Sequence, residues 1–263
     1  MRRARAPKPT GKPPEGGYVR FVDVPEDVEV DRSVYPFNVP AVMALGRLDL
    51  DRHITIFVGE NGSGKSTLIE AIAVAIGLNP EGGSKHFTFS THANHSQLGE
   101  VLRAVRGPNR ELDAYFVRAE SFYNVATHLE PMMHDDYDFL MSYGGKMLHE
   151  QSHGESFLAA IVNRFGHGGV YVLDEPESAL SPARQIALLS VLDTLTTQKA
   201  SQIIMATHSP ILMAHPLSRI YHLGPDGIEQ VPYEETEHYK LTRAFLNNPG
   251  AFLHHLGVKS RSQ

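Results

Sequence analysis

Eight residues, Gly59-Glu60-Asn61-Gly62-Ser63-Gly64-Lys65-Ser66, constrain this chain more than any other segment. They fit the pattern G-x-x-x-x-G-K-[ST]. The β-branched run His53–Val58 (HITIFV), which reads as a buried strand, leads into them. The apolar stretch Ser66–Leu78, which reads as a buried helix, follows. Glycines let the backbone curl between strand and helix so that successive N–H groups converge on an anion. The helix behind the turn presents its N-terminal partial positive charge to the same point. Lys65 supplies a compact charge for the outer phosphates of a nucleotide, and Ser66 a hydroxyl for Mg²⁺. Gly59, Glu60, Asn61, Gly62, Ser63, Gly64, Lys65, Ser66 and Thr67 are therefore the expected triphosphate-binding residues.

A second segment fits the first. Val170-Tyr171-Val172-Leu173 is an apolar strand that ends in Asp174 and Glu175. Acids at the end of a buried strand are common, but beside a phosphate loop they complete a nucleotide site. Asp174 with Ser66 would hold the Mg²⁺ shell, and Glu175 would face the γ-phosphate as proton acceptor for attacking water.

Around these two segments the chain alternates strands and helices, which predicts an α/β fold with a mainly parallel central sheet flanked by helices. Strands are expected at Tyr18–Val24, Val101–Val105, Ala114–Val117, Gln202–Ala206, Ile220–Leu223 and Gly227–Val231. Helices are expected at Ser121–His128, Glu155–Phe165, Pro182–Thr197 and Thr236–Asn247, and a loop at Asn79–Ser96. Residues 1–17, with four prolines and no apolar period, read as a disordered basic tail, and residues 18–263 as one globular domain. The chain has no cysteine, which excludes disulfides, thiolate metal sites and thiol catalysis. No apolar stretch approaches the ~20 residues of a membrane span, and the first residues lack the apolar region of a secretory signal, so a cytoplasmic location is expected. Residues 1–20 carry +5, whereas the rest carries −11. Duplex binding calls for a basic excess, so nucleic acid is an open partner that the charge does not support.

Further motifs carry a family resemblance. Asp174-Glu175-Pro176-Glu177-Ser178-Ala179-Leu180-Ser181 resembles the Walker B and D-loop of ABC-type ATPases. Ser152-His153-Gly154-Glu155-Ser156 resembles the LSGGQ signature, and Met205-Ala206-Thr207-His208-Ser209-Pro210 the switch histidine at the end of a strand. With the phosphate loop as Walker A, four motifs stand in the family's order across roughly residues 45–225. The nearest resemblance is to stand-alone, RecF/SMC-like predicted ATPases labelled AAA family.

The resemblance implies an ABC-ATPase-like head with a small antiparallel β subdomain and a helical lobe or insertion at about 80–151. It implies ATP and Mg²⁺ as cofactors and hydrolysis at composite sites of a head-to-tail homodimer. Ser152, Gly154 and Glu155 would close the partner subunit's site, and His208 would sense the γ-phosphate. The Q-loop glutamine has no match: Glu120 stands at that position, where a metal contact and a solvated loop acid are equally open. Tyr35 or Phe37 can stack on adenine, although core packing is the stronger reading of each. The signature departs from the family at Gln151, His153 and Glu155, and the D-loop at Ser181. The physiological output stays open: a nucleotide-gated clamp in DNA maintenance or defence with an unknown effector protein, the ATP-hydrolysing subunit of an ABC transporter, or an interaction switch with little turnover. A base such as Glu175 argues against the last. His92-Ala93-Asn94-His95 and His134-Asp135-Asp136 lack a third ligand and read as solvated loops rather than metal sites.

Overall fold

A computed structural model of the chain describes residues 17–84, 97–120, 122, 141 and 153–258. Residues 1–16, most of the segment 80–151 expected as an insertion, the expected helix Ser121–His128, and both histidine clusters therefore lie outside the described residues or almost wholly so.

The strands are β1 (Val19–Asp23), β2 (Leu48–Asp49), β3 (Ile54–Val58), β4 (Gly83–Ser84), β5 (Arg103–Arg106), β6 (Asp113–Arg118), β7 (Gly169–Asp174), β8 (Gln202–Ala206), β9 (Ser218–Gly224) and β10 (Gly227–Val231). The helices are α1 (Pro40–Met43), α2 (Lys65–Ala75), α3 (Leu98–Val101), α4 (His153–Arg164), α5 (Pro182–Thr197), α6 (Pro210–Met213), α7 (Glu237–Asn247) and α8 (Pro249–His255). Seven strands form one sheet in the order β10-β9-β3-β8-β7-β6-β4. The five from β9 to β6 are mutually parallel, and only the edge strands β10 and β4 run antiparallel.

Every residue of β3, β7 and β8 is buried, as strands covered on both faces must be, which is why they read as unbroken apolar runs. Alternation along β3 divides its side chains between two layers. Ile54, Ile56 and Val58 meet Phe157 and Ile161 of α4 and Leu188 and Leu192 of α5. Phe57 faces the other way, toward Leu68, Ile69 and Ile72 of α2, Val19 and Val22 of β1 and Leu48 of β2.

Strands β2-β1-β5 form a separate antiparallel sheet, the small β subdomain. Gln202 at the start of β8 ties it to the main sheet. Its carbonyl accepts from the amides of Tyr18 and Val19 at 2.8 and 2.9 Å, and its amide donates to the carbonyls of Val19 and Leu50.

Two expectations need correction. Val101–Val105 is not one strand: α3 ends at Val101, and β5 begins at Arg103 against β1. The apolar residues there serve first a helical turn packed on α2, then a strand. The expected loop after Asn79 contains β4, because Gly83 and Ser84 pair with Phe116 and Tyr115 at the sheet edge.

Candidate functional site

The phosphate loop connects β3 to α2. Gly59 leaves β3 at φ 153°, and a Cβ there would lie 2.4 Å from the Leu223 carbonyl oxygen, so only glycine fits against β9. The loop folds Lys65 inward until 4% of it is exposed, with its ammonium donating to the Glu60 carbonyl at 3.0 Å. Burial pushes the Lys65 amine down, and the carboxylates of Glu175, Asp174, Glu177 and Glu60 oppose that push. The Ser63 hydroxyl in the same loop is buried with no hydrogen-bond partner. A cavity of about 270 Å³ opens here, lined by Tyr35, Val39, Asn61, Gly62, Gly64, Lys65, Ser66, Thr67 and Glu175. A buried ammonium and a helix N-terminus around one cavity suit an anion rather than an apolar ligand.

Because β3, β8 and β7 are parallel neighbours, their carboxyl ends lie side by side. This register carries the two acids to the loop. The Ser66 hydroxyl donates to Asp174 Oδ1 at 3.3 Å, and Arg118 Nε at the end of β6 donates to Oδ2 at 3.1 Å. Arg118 also reaches Glu70 on α2 at 3.2 Å. Burial raises the Asp174 carboxyl to about 6, against the opposing pull of Arg118. Two hard oxygen donors, Ser66 Oγ and Asp174 Oδ1, fit a Mg²⁺ ion completed by phosphate and water oxygens. Among the described residues no group of three or more His, Asp or Glu side chains is arranged to hold a metal by itself.

Glu175 turns the chain sharply at φ 47°, ψ 53°, a left-handed conformation that costs a non-glycine residue roughly 1 kcal/mol or more. Its amide is pinned to the Ala206 carbonyl at 3.0 Å, and its carboxylate lines the cavity. His208 Nε2 stands 3.5 Å from Glu175 Oε1. Glu177 anchors the loop that carries His208: one oxygen accepts from the Thr207 hydroxyl at 2.7 Å, the other from the His208 amide at 2.5 Å. Burial pushes the Glu177 carboxyl up, and those two hydrogen bonds pull it down. On its other side His208 Nδ1 meets His238 Nε2 of α7 at 2.9 Å.

The structure thus brings together Lys65, Ser66, Asp174, Glu175 and His208. Glu120 is exposed at the turn after β6, and Arg118 rather than Glu120 contacts Asp174. Ser152 lies outside the described residues. Gly154 is buried in the first turn of α4, where a Cβ would meet the Ala179 carbonyl oxygen at 2.8 Å, and Glu155 pairs with Arg184 of α5 at 2.9 Å. Tyr35 is 63% exposed at the cavity, with its hydroxyl 2.8 Å from that of Thr67, whereas Phe37 is buried in the core. Sequence reasoning missed Arg118, Glu177 and His238. Arg118 and Glu177 each lie within two residues of positions already singled out, while His238 sits thirty residues from His208 with no motif around it.

Comparison with known proteins gives two family matches. Residues 44–120 match a family described as "AAA domain". Residues 155–214 match one described as "AAA domain, putative AbiEii toxin, Type IV TA system". A protein of Geobacter sulfurreducens described as "Putative ABC transporter ATP-binding protein" is 28% identical, over 64% of this chain and 63% of its own length. The cbiO1 structure from Clostridium perfringens, part of the ABC transporter complex cbiONQ, is 17% identical with a TM-score of 0.48, covering 91% of this chain and 99% of that one. The SMC head domain from Thermotoga maritima is also 17% identical, with a TM-score of 0.41, covering 71% of this chain and 92% of that one.

Proposed function

We propose, from the premise that the chain is a P-loop ATPase of the ABC type, that it binds ATP with Mg²⁺ and hydrolyses it to ADP and phosphate. The observation that carries this reading is the convergence on one cavity of Lys65, Ser66 and Glu175, with Asp174 bonded to Ser66 and His208 at Glu175. In this reading the loop amides and Lys65 neutralise charge that grows on the γ-phosphate oxygens, the largest contribution to this class of reaction. Ser66 and Asp174 would hold Mg²⁺, which when bound would supply positive charge to screen the phosphates. Glu175 accepts the proton of the attacking water, and its pinned left-handed backbone holds the carboxylate over the cavity. His208 reads the γ-phosphate through Nε2. Ser152, Gly154 and Glu155 close the partner subunit's site in a head-to-tail homodimer, and the cycle of closure and release is the output, with an effector protein or nucleic acid as its recipient.

The test is steady-state ATPase activity against protein concentration, with and without DNA. Composite sites predict a rate that rises more steeply than linearly with concentration, and DNA stimulation marks a clamp. Glu175→Gln is expected to retain ATP affinity while turnover falls by about 10² or more. Lys65→Ala is expected to lose affinity itself. A wild-type rate in the glutamine variant removes Glu175 from its role, and undiminished ATP affinity in the alanine variant removes the loop assignment.

A second reading, the ATP-hydrolysing subunit of an ABC transporter, is favoured by the description of the Geobacter relative. Among the described residues no helix is long and apolar enough to cross a membrane, so this reading requires a separate membrane partner. Co-purification with an integral membrane protein would select it.

A further inference from the structure

We infer that His238 is a positioning residue for hydrolysis: its Nε2–H donates to His208 Nδ1 and thereby fixes His208 as the tautomer whose Nε2 carries the proton. The inference deepens the proposed reading of the site and rests on it.

A neutral imidazole has one donor nitrogen and one acceptor nitrogen, and the partner of one ring nitrogen decides which is which. His208 Nε2 is turned toward Glu175 and is buried without a hydrogen-bond partner. Its prospective partners on that side, a carboxylate and a phosphate oxygen, are both acceptors, so Nε2 is useful there only as a donor. Nδ1 must then accept, and among the described residues the atom placed to donate is His238 Nε2, 2.9 Å away. The remaining nitrogen, His238 Nδ1, is buried with no partner. Left as an acceptor it costs less than an orphaned N–H would, which favours the same assignment. Burial, then His208, pushes the His238 imidazole down, in the direction of its neutral form, with Glu60 and Glu237 opposing and Lys65 reinforcing the shift.

The backbone holds the pair in place. Tyr233, just before α7, donates its hydroxyl to the Pro210 carbonyl at 3.0 Å, two residues beyond His208. The buried Thr236 closes the turn onto the Tyr233 carbonyl at 2.7 Å. Helix α7 therefore enters at a fixed point beside the switch histidine, although none of its own residues is buried.

The experiment uses the full chain labelled with ¹⁵N-histidine. Long-range ¹H–¹⁵N spectra of the nucleotide-free protein near pH 7.5, assigned with His208 and His238 variants, read the tautomer directly. The expected wild-type spectrum shows His208 protonated at Nε2, and His238→Phe shows a mixture. A wild-type His208 protonated at Nδ1, or an unchanged tautomer in the phenylalanine variant, overturns the inference. In turnover assays His238→Phe is expected to lower kcat about tenfold with ATP affinity unchanged. His238→Gln, whose amide can donate to Nδ1, is expected to restore the rate to within about threefold. A glutamine variant as slow as the phenylalanine one assigns His238 a space-filling role and sinks the proposal. If the wild-type chain shows no turnover at all, the reading of the site as an ATPase fails, while the tautomer spectra still decide the histidine pairing.

Discussion

At the scale of single residues, Asp174 is held between opposed demands. Its burial favours the protonated acid, while Arg118 and Ser66 favour the carboxylate that a metal requires. The balance leaves it titrating at about 6, above its ordinary 3.8. A carboxyl whose folded value is raised takes up a proton more readily in the folded chain, so this group's contribution to stability declines as pH climbs from about 4 to 6. Arg118 limits that decline. Arg118→Met is therefore expected to destabilise the metal-free chain by about 1–3 kcal/mol at pH 8. The deficit should shrink at pH 5, where Asp174 is protonated when folded, and urea denaturation at the two pH values measures it. A deficit that is equal at both would mean that Arg118 acts through Glu70 or packing instead. Metal affinity should fall in the same variant, because the carboxylate that Arg118 holds ionised is the one facing Ser66. The sequence showed Asp174 and Lys65 through their motifs. It did not show Arg118, whose role depends on β6 being the parallel neighbour of β7, and no local pattern of residues encodes which strands are neighbours.

Among elements, the long ones were legible and the short ones were not. Strands β3, β7 and β8 are runs of apolar residues with both faces covered, and α5 spans Pro182–Thr197 as its proline and apolar spacing predict. Helix α3 has four residues and β4 has two, too few for any period to establish itself, so one was merged into a strand and the other into a loop. The packing of α4 against the turn after Glu175 gives a prediction whose sign is informative. Alanine is normally the better helix former by about 1 kcal/mol, so Gly154→Ala should stabilise an uncrowded helix. Here the added Cβ would sit 2.8 Å from the Ala179 carbonyl oxygen and 2.7 Å from Arg184 Nη1. The arginine can swing aside at the expense of its pair with Glu155, but the carbonyl belongs to the backbone that carries Glu177. The expected net effect is a loss of about 1–3 kcal/mol, read as a lowered denaturation midpoint. A raised midpoint would show that α4 does not press on this turn.

Across the whole molecule, the candidate cavity depends on two sheets keeping their relation. The loop from Gly59 to Lys65 belongs to the main sheet, while Tyr35 and Val39, on the cavity's other wall, lie in the connection between β1 and β2 of the small sheet. Gln202 joins the two through four backbone groups, at positions as much as 184 residues apart in sequence. Nothing in the run Gln202–Ala206 marks it: a single amide opening a buried apolar strand reads as a strand boundary, and its partners become visible only once the chain has folded. Gln202→Leu keeps much of the volume but leaves the Tyr18 and Val19 amides and the Val19 and Leu50 carbonyls without this partner. Two buried donors so orphaned set an expected loss of about 2–5 kcal/mol, since the carbonyls tolerate the change better than the N–H groups. The location of the loss tests the argument as well as its size. Hydrogen exchange should accelerate at Tyr18 and Val19, and along β1, by far more than at Tyr171 or Ile204 in the centre of the main sheet. ATP affinity should fall with it, because the wall bearing Tyr35 loosens while Lys65 and Asp174 stay in place. Uniform acceleration across both sheets would mean that the two are a single cooperative unit and that Gln202 is one bond among many.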